Sequence, residues 1–290
     1  EVYNYSFVSE AQIKKLGDDL SKYIELENPL SKEKPYLRRN LLPNLLDNLA
    51  MNIERSAVIK IFEIGKVFTM EETGVRVRAN SDDLLPHQDT WLTTICAEKK
   101  NDNQFWSARR VVEQIMASLD LEWRVAVLDK ILAWEHPARV ATFSVEGTVV
   151  GVIHELHPSV AQQYGLETRV GVVRINLDKL SEIIKKNPVT TVYKSLLAYP
   201  ETVRDVAFLV DKKIKHVDIV EVLQSVDHLL KKISLFDVYE GKNIKDGYKS
   251  MAYHLTYFHP EKTLTTEEVD KAQMKVINIL EQTFKIEIRK

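Results

Sequence analysis

Over the last third of the chain the apolar period switches between two and 3.6 in a fixed order, and few folds accommodate that order. Val203 to Val210 alternates as a strand. Val217 to Lys231 places Ile219, Leu223, Val226 and Leu230 on one helical face. Ile233 to Tyr239 and Tyr248 to Phe258 read as strands, with Gly241 to Gly247 as the hairpin loop between them. Thr265-Thr266-Glu267-Glu268 forms a capping box. Val269, Ala272, Val276, Ile279 and Thr283 line the inner face of the helix that it starts, and Ile286 and Ile288 supply a last short strand. The order β-α-β-β-α-β is a split βαβ unit.

The upstream part mixes the two periods differently. Leu42, Leu45, Leu46, Leu49 and Ile53 predict an amphipathic helix over Leu42 to Arg55, with Pro43 suited to its first turn. Ala57 to Phe68 is rich in β-branched and aromatic residues and reads as a strand pair or one long strand; Asn80 to Asp89 is polar, contains Pro86 and reads as a loop. Phe105 to Leu119 is a second helix. Short strands are expected at Glu122 to Leu128, Arg139 to Val145, Thr148 to Leu156 and Arg169 to Leu177, with Gly147 at the turn between the second and third. Strands this crowded pair antiparallel rather than through βαβ crossovers. Lys185-Lys186-Asn187-Pro188 closes a short helix and opens an extended connection over Val189 to Ser195, the expected domain boundary. The expectation is an α+β chain. Residues 1–190 form an antiparallel sheet with flanking helices, and residues 195–290 form a ferredoxin-like domain.

Composition closes off several functions. A length of 290 residues suits about two domains. Forty basic against 42 acidic residues give net −2, so no global field draws in nucleic acid or anionic lipid. Nine glycines are fewer than half the usual share, and neither G-x-G-x-x-G nor G-x-x-x-x-G-K-[ST] occurs. The single cysteine, Cys96, lies in a predicted buried strand and favours a reducing compartment, here the cytoplasm. No segment reaches the ~20 apolar residues of a membrane span. The chain starts at Glu1 and runs straight into the alternating Val2 to Phe7, which suggests a fragment of a longer protein.

A sheet with helices on one face only leaves the other face for a partner. Some modules of this topology use it to stack and hydrogen-bond single-stranded bases. Strand alternation buries Phe236 and Val238 and leaves Asp237 and Tyr239 on the open face. An aspartate accepts two hydrogen bonds from a guanine Watson–Crick edge, and a tyrosine stacks or donates. Other constellations point to turns or solvated surface. His154-Glu155-Leu156-His157 has i, i+3 histidines before a proline, not the spacing of a zinc helix. Lys212-Lys213-Ile214-Lys215-His216 can touch phosphates beside the open sheet. Lys231-Lys232 is expected at a helix C-terminus.

Tyr199-Pro200-x-x-x-Arg204-Asp205, Leu235-Phe236-Asp237-Val238-Tyr239-x-Gly241, Lys249-Ser250 and Thr263-Leu264-Thr265 resemble the ferredoxin-fold anticodon-binding domain that ends the β subunit of bacterial phenylalanyl-tRNA synthetases. Asn28-Pro29-Leu30-Ser31, Leu37-Arg38, Leu41-Leu42-Pro43-x-Leu45-Leu46-x-Asn48-Leu49, Phe62-Glu63-Ile64-Gly65-x-Val67-Phe68 and Glu155-Leu156-His157-Pro158 resemble the class II synthetase-like core before it. The resemblance spans the chain and implies a contribution to ATP-dependent aminoacylation of tRNA(Phe). Class II enzymes carry a Phe-Arg-x-Glu motif where this chain has Phe68-Thr69-Met70-Glu71, and Thr69 cannot supply the arginine's charge. The family's late glycine-rich stretch ending in an arginine has no counterpart between His157 and Leu180. The resemblance therefore implies an upstream half with no catalytic residue, metal or cofactor of its own. ATP and Mg2+ would sit on a separate α subunit, within an (αβ)2 heterotetramer away from any membrane. For the anticodon the resemblance and the alternation together nominate Asp237 and Tyr239, Ser250 on the adjacent strand, Arg204 near the first strand, and Val206 beneath the base. The alternative is a protein–protein scaffold that does not bind RNA.

Overall fold

A computed structural model describes the 290-residue chain except residues 79, 81, 83, 101, 129, 187–197, 243 and 289–290. The chain divides into two compact units, Glu1–Thr191 and Val192–Lys290. The predicted connection from Asn187-Pro188 through Ser195 lies outside the described residues.

In the first unit the N-terminal segment is mostly irregular rather than a strand. Only β1 (Phe7–Val8) pairs, with β2 (Tyr36–Leu37). Between them α1 (Glu10–Leu16) starts at a capping box of Ser9 and Gln12, and α2 (Leu42–Asn52) follows with Pro43 in its first turn. A six-stranded antiparallel sheet comes next, built from β3 (Val58–Arg76), β4 (Leu84–Glu98), β5 (Trp123–Ala126), β6 (Glu135–Val145), β7 (Thr148–Leu156) and β8 (Val170–Asn176) in the order β3-β4-β8-β7-β6-β5. Its helices are α3 (Gln104–Ser118), α4 (Pro158–Gln163) and α5 (Leu177–Lys186). Glu146 and Gly147, both at positive φ, make the two-residue turn between β6 and β7.

Both faces of this sheet are covered. Leu92, Val173 and Ile175 pack under α3 and α5. Ile95, Ala97, Val170 and Val172 pack under the leucines of α2. Cys96 is free and buried, and burial raises its thiol pKa. The segment expected as a loop at Asn80 to Asp89 instead enters β4 at Leu84. Pro86 is tolerated because β8 joins β4 only from Trp91 onward, so its missing N–H interrupts no second ladder.

The second unit comprises β9 (Thr202–Asp211), α6 (His216–Gln224), β10 (Leu230–Tyr239), β11 (Tyr248–Tyr257), α7 (Thr266–Phe284) and β12 (Glu287–Ile288). The sheet runs β10-β11-β9-β12, every neighbour antiparallel, which is the ferredoxin-like arrangement. Thr265 and Glu268 close the capping box of α7. The helix predicted to reach Lys231 stops at Gln224, because Asp227 pins a turn there. Its carboxylate accepts the Leu229 amide at 2.9 Å and Lys275 of α7 at 2.8 Å. Leu230 therefore opens β10, and Lys231 and Lys232 lie on an edge strand, where lysines discourage further pairing.

Candidate nucleic-acid interface

Two faces emerge from the register of the second sheet. Met251, Tyr253, Leu255 and Tyr257 of β11 point at the helices, together with Val206, Phe208 and Val210 of β9. Directly opposed residues of an antiparallel pair share a face. Ser250, Ala252, His254 and Thr256 therefore face the other way, with Leu209, Ala207, Asp205 and Val203 across β9. On β10 the partners of Ser250 and Ala252 are Tyr239 and Asp237. Three of the five nominated residues thus meet on the helix-free face. Tyr239 sits directly opposite Ser250, and Asp237 lies two residues along the same strand, about 7 Å away.

Each of the three is presented differently. Asp237 is exposed and makes no side-chain hydrogen bond or ion pair among the described residues. Tyr239 is half-exposed, and its hydroxyl folds back against Gly241, where any Cβ would run into it. Ser250 is buried between the flanking strands. A carboxylate acceptor and a phenol are therefore presented on one face at the β10–β11 seam, with the Ser250 hydroxyl buried beside them. The carboxylate can accept from a base edge and the phenol can stack on its face.

The other two nominated residues lie on the helix side of the sheet. Val206 is 4% exposed and packs in the helix-side core opposite Tyr253, so it cannot lie beneath a base on the open face. Arg204 shares that parity, and its guanidinium reaches Asp270 of α7 at 3.6 Å. The neighbours of Val206, Asp205 and Ala207, are the ones on the open face.

The expectation that Phe236 is buried is corrected. A β-bulge between Leu235 and Asp237 shifts the register of β10. Leu235 goes to the helix side opposite Tyr253, and the 49% exposed Phe236 stacks on His254 with ring centres 4.0 Å apart and planes 15° apart. His254 Nδ1 in turn lies 2.6 Å from Asp205 Oδ1. The strand's own pattern carried a signal for this. Ile233 and Leu235 pack inward on odd positions, whereas Val238 meets Met251 on the helix side only in register and stays 48% exposed rather than buried as expected; the switch of parity marks the bulge between them.

Beyond the end of the seam, Lys212 is paired with Glu240 at 2.9 Å, and Lys249 donates to the carbonyls of Ile214 and Lys212. The basic loop is thus partly neutralised and held in shape. Lys245 lies over the Tyr248 ring, 5.0 Å from its centre.

The first unit has a buried polar row instead of an open face. Arg38 and Glu63 pair at 2.6 Å, both almost fully buried, and Arg174 pairs with Glu135 at 2.9 Å. Glu63, Thr93 and Arg174 lie in one register row across β3, β4 and β8. Gly65 lies against the Arg38 guanidinium, and a Cβ there would collide with it. Thr69 lies on β3 opposite His87, and Glu71 pairs with Arg39. His154 is fully buried on β7, and burial and Arg174 push its pKa down to about 3. His157 caps α4, its ring nitrogen accepting from the Ser159 amide, and His136 accepts from the Ala138 amide. These two histidines shape turns at strand ends. Among the described residues no group of three or more His, Cys, Asp or Glu is placed to hold a metal, and no helix is long and apolar enough to cross a membrane.

Comparison with known proteins covers both units. The family model for the phenylalanyl tRNA synthetase beta chain CLM domain matches residues 1–177, and that for the ferredoxin-fold anticodon binding domain matches residues 198–289. The chain is 32% identical over 299 residues to a phenylalanine–tRNA ligase beta subunit of Streptococcus agalactiae, and 30% identical over 292 residues to that of Bacillus subtilis. Each alignment covers 100% of this chain and 36% of the relative, so the chain spans about a third of their length. Among solved structures, the pyrrolysyl tRNA synthetase PylSc of Desulfitobacterium hafniense aligns with a TM-score of 0.50 at 16% identity, over 68% of this chain and 66% of that one. That likeness is one of fold. With family models matching both units and relatives aligned along its whole length, the chain belongs to the phenylalanine–tRNA ligase beta subunit family.

Proposed function

We propose that the chain is a non-catalytic part of a phenylalanine–tRNA ligase. On this reading the second unit recognises the tRNA(Phe) anticodon and the first assembles with an α subunit in a cytoplasmic (αβ)2 heterotetramer. The observation that carries the reading is the β10–β11 seam. Asp237 and Tyr239 are presented side by side on the helix-free face, with Ser250 opposite, inside the segment that matches the anticodon-binding family. A few polar and aromatic groups at fixed spacing suit base readout, which needs no net positive charge on the whole chain.

The first unit supports the silent half of the reading. The residues present do not fit an adenylate-forming site. Thr69 stands where the class II pattern has an arginine. The middle of the sheet face that carries Thr69 is filled by the Arg38–Glu63 pair, and Gly65 is capped by Arg38. ATP, Mg2+ and phenylalanine accordingly belong to the α subunit.

The test is titration of tRNA(Phe) with the ligase assembly that contains this chain, comparing wild type with Asp237→Ala and Tyr239→Ala. Each substitution is expected to weaken binding at least about tenfold, the scale of one hydrogen bond to a charged group or one good stack. Unchanged affinity and aminoacylation in both variants would overturn the reading.

A further inference from the structure

We propose that Phe236 is a second stacking platform on the open face, holding the base of a nucleotide next to the one contacted by Asp237 and Tyr239. The inference rests on the anticodon reading above and adds a residue, and a second base, to it.

Three observations converge on Phe236. The first is its exposure. A phenylalanine gains most from burial, yet the bulge turns this one out of the core and sends Leu235 inward in its place. The second is its fixed orientation. One ring face lies parallel to His254, and His254 is tied to Asp205, so side chains from β10, β11 and β9 form a braced row across the sheet. With one face covered by the imidazole, the opposite face is the surface left to solvent. A ring held still before binding loses little entropy when a base settles on it. The third is position. Phe236 precedes Asp237 and lies within about 10 Å of Tyr239 along the strand, so an unstacked strand lying on the seam would reach both.

The chemistry separates the two subsites. Every base has a π-face, so a phenylalanine platform contributes affinity without choosing among bases. Asp237 accepts hydrogen bonds from a particular edge and so contributes identity. The occupant of Phe236 is therefore a single-stranded RNA base rather than a peptide side chain. The matched family description and the adjoining acceptor and phenol favour RNA.

The test uses the full 290-residue chain and the anticodon stem-loop of tRNA(Phe), with 2-aminopurine replacing each loop adenine in turn and the guanine kept. Phe236→Leu is expected to weaken binding at least about fivefold, the low end for one base–aromatic stack. It should also abolish the fluorescence change at one adenine position at saturation. Phe236→Trp should bind more tightly than wild type and alter the fluorescence at that same position. Tyr239→Leu should weaken binding but leave that fluorescence change intact. If Phe236→Leu binds like wild type and keeps every fluorescence change while Tyr239→Leu weakens binding, the platform is wrong and the anticodon reading stands. A wild-type chain that binds the stem-loop no better than one of scrambled loop sequence overturns both, and a peptide ligand for the face becomes the better account. Should Phe236→Leu unfold the second unit, Phe236→Trp carries the test: a larger ring tightens binding and alters the same position, and no change overturns the platform.

Discussion

Gly241 shows how a residue without a side chain can serve a binding face. The Tyr239 hydroxyl occupies the space where its Cβ would be. Gly241→Ala is therefore expected to swing the Tyr239 ring away from its seat opposite Ser250. Affinity for the tRNA(Phe) stem-loop should fall roughly as far as in Tyr239→Leu, with the thermal midpoint changed by no more than a few degrees because the ring is only half-buried. Isothermal titration and a thermal melt on the same variant check this. Equal affinity in Gly241→Ala would mean that the seat is not used. At this scale the sequence is informative where chemistry is local: alternation along β10 puts Asp237 and Tyr239 on the helix-free face, where the register also has them, but fails for Phe236 at the bulge. It was uninformative for Val206, because Val203, Ala207 and Leu209 on one parity look as apolar as Val206, Phe208 and Val210 on the other, and only the pairing with Tyr253 decides between them.

Elements were legible where their punctuation is strong. The Thr265–Glu268 capping box, Pro43 in the first turn of α2 and the Glu146-Gly147 turn each fix a boundary through a few bonds between neighbours. They were misread where a tertiary contact overrides the pattern. Leu230 fits the helical period of α6 but belongs to β10, because Asp227 is held by Lys275 from a distant helix. The bulge in β10 likewise reflects what β11 offers on each face. One buried element also sets a pH response. His154 on β7 is held neutral by burial and by Arg174, with its pKa down at about 3 against an ordinary value of 6.5. The unfolded chain takes up a proton below pH 6.5 that the folded unit refuses until about pH 3. Stability should therefore fall as pH drops through that window, by up to about 1.4 kcal/mol per pH unit from this residue. All four tryptophans lie in the first unit, so their fluorescence reports its unfolding alone. The urea midpoint of wild type should decline between pH 7 and 4.5 more steeply than that of His154→Gln. Parallel declines would show that His154 is not the group responsible.

At the scale of the molecule, two units divide the work by how they treat their sheets. The first covers both faces and buries ion pairs in the middle of one. The second keeps one face free of its own helices and sets aromatic and acceptor groups along it. Low glycine content and a balanced charge are consistent with this division, since neither unit needs a phosphate-cradling loop or a general affinity for polyanions. We propose that Asp237 reads a guanine, the base whose Watson–Crick edge offers two donors to a carboxylate; in the GAA anticodon complementary to phenylalanine codons that is the first base. Replacing that guanine with inosine removes only the 2-amino donor. Measured by titration of this chain with the two stem-loops, wild type should lose about tenfold in affinity for the inosine form, and Asp237→Asn should bind both forms with nearly equal, weakened affinity. Wild type that binds the guanine and inosine stem-loops equally well would contradict the account.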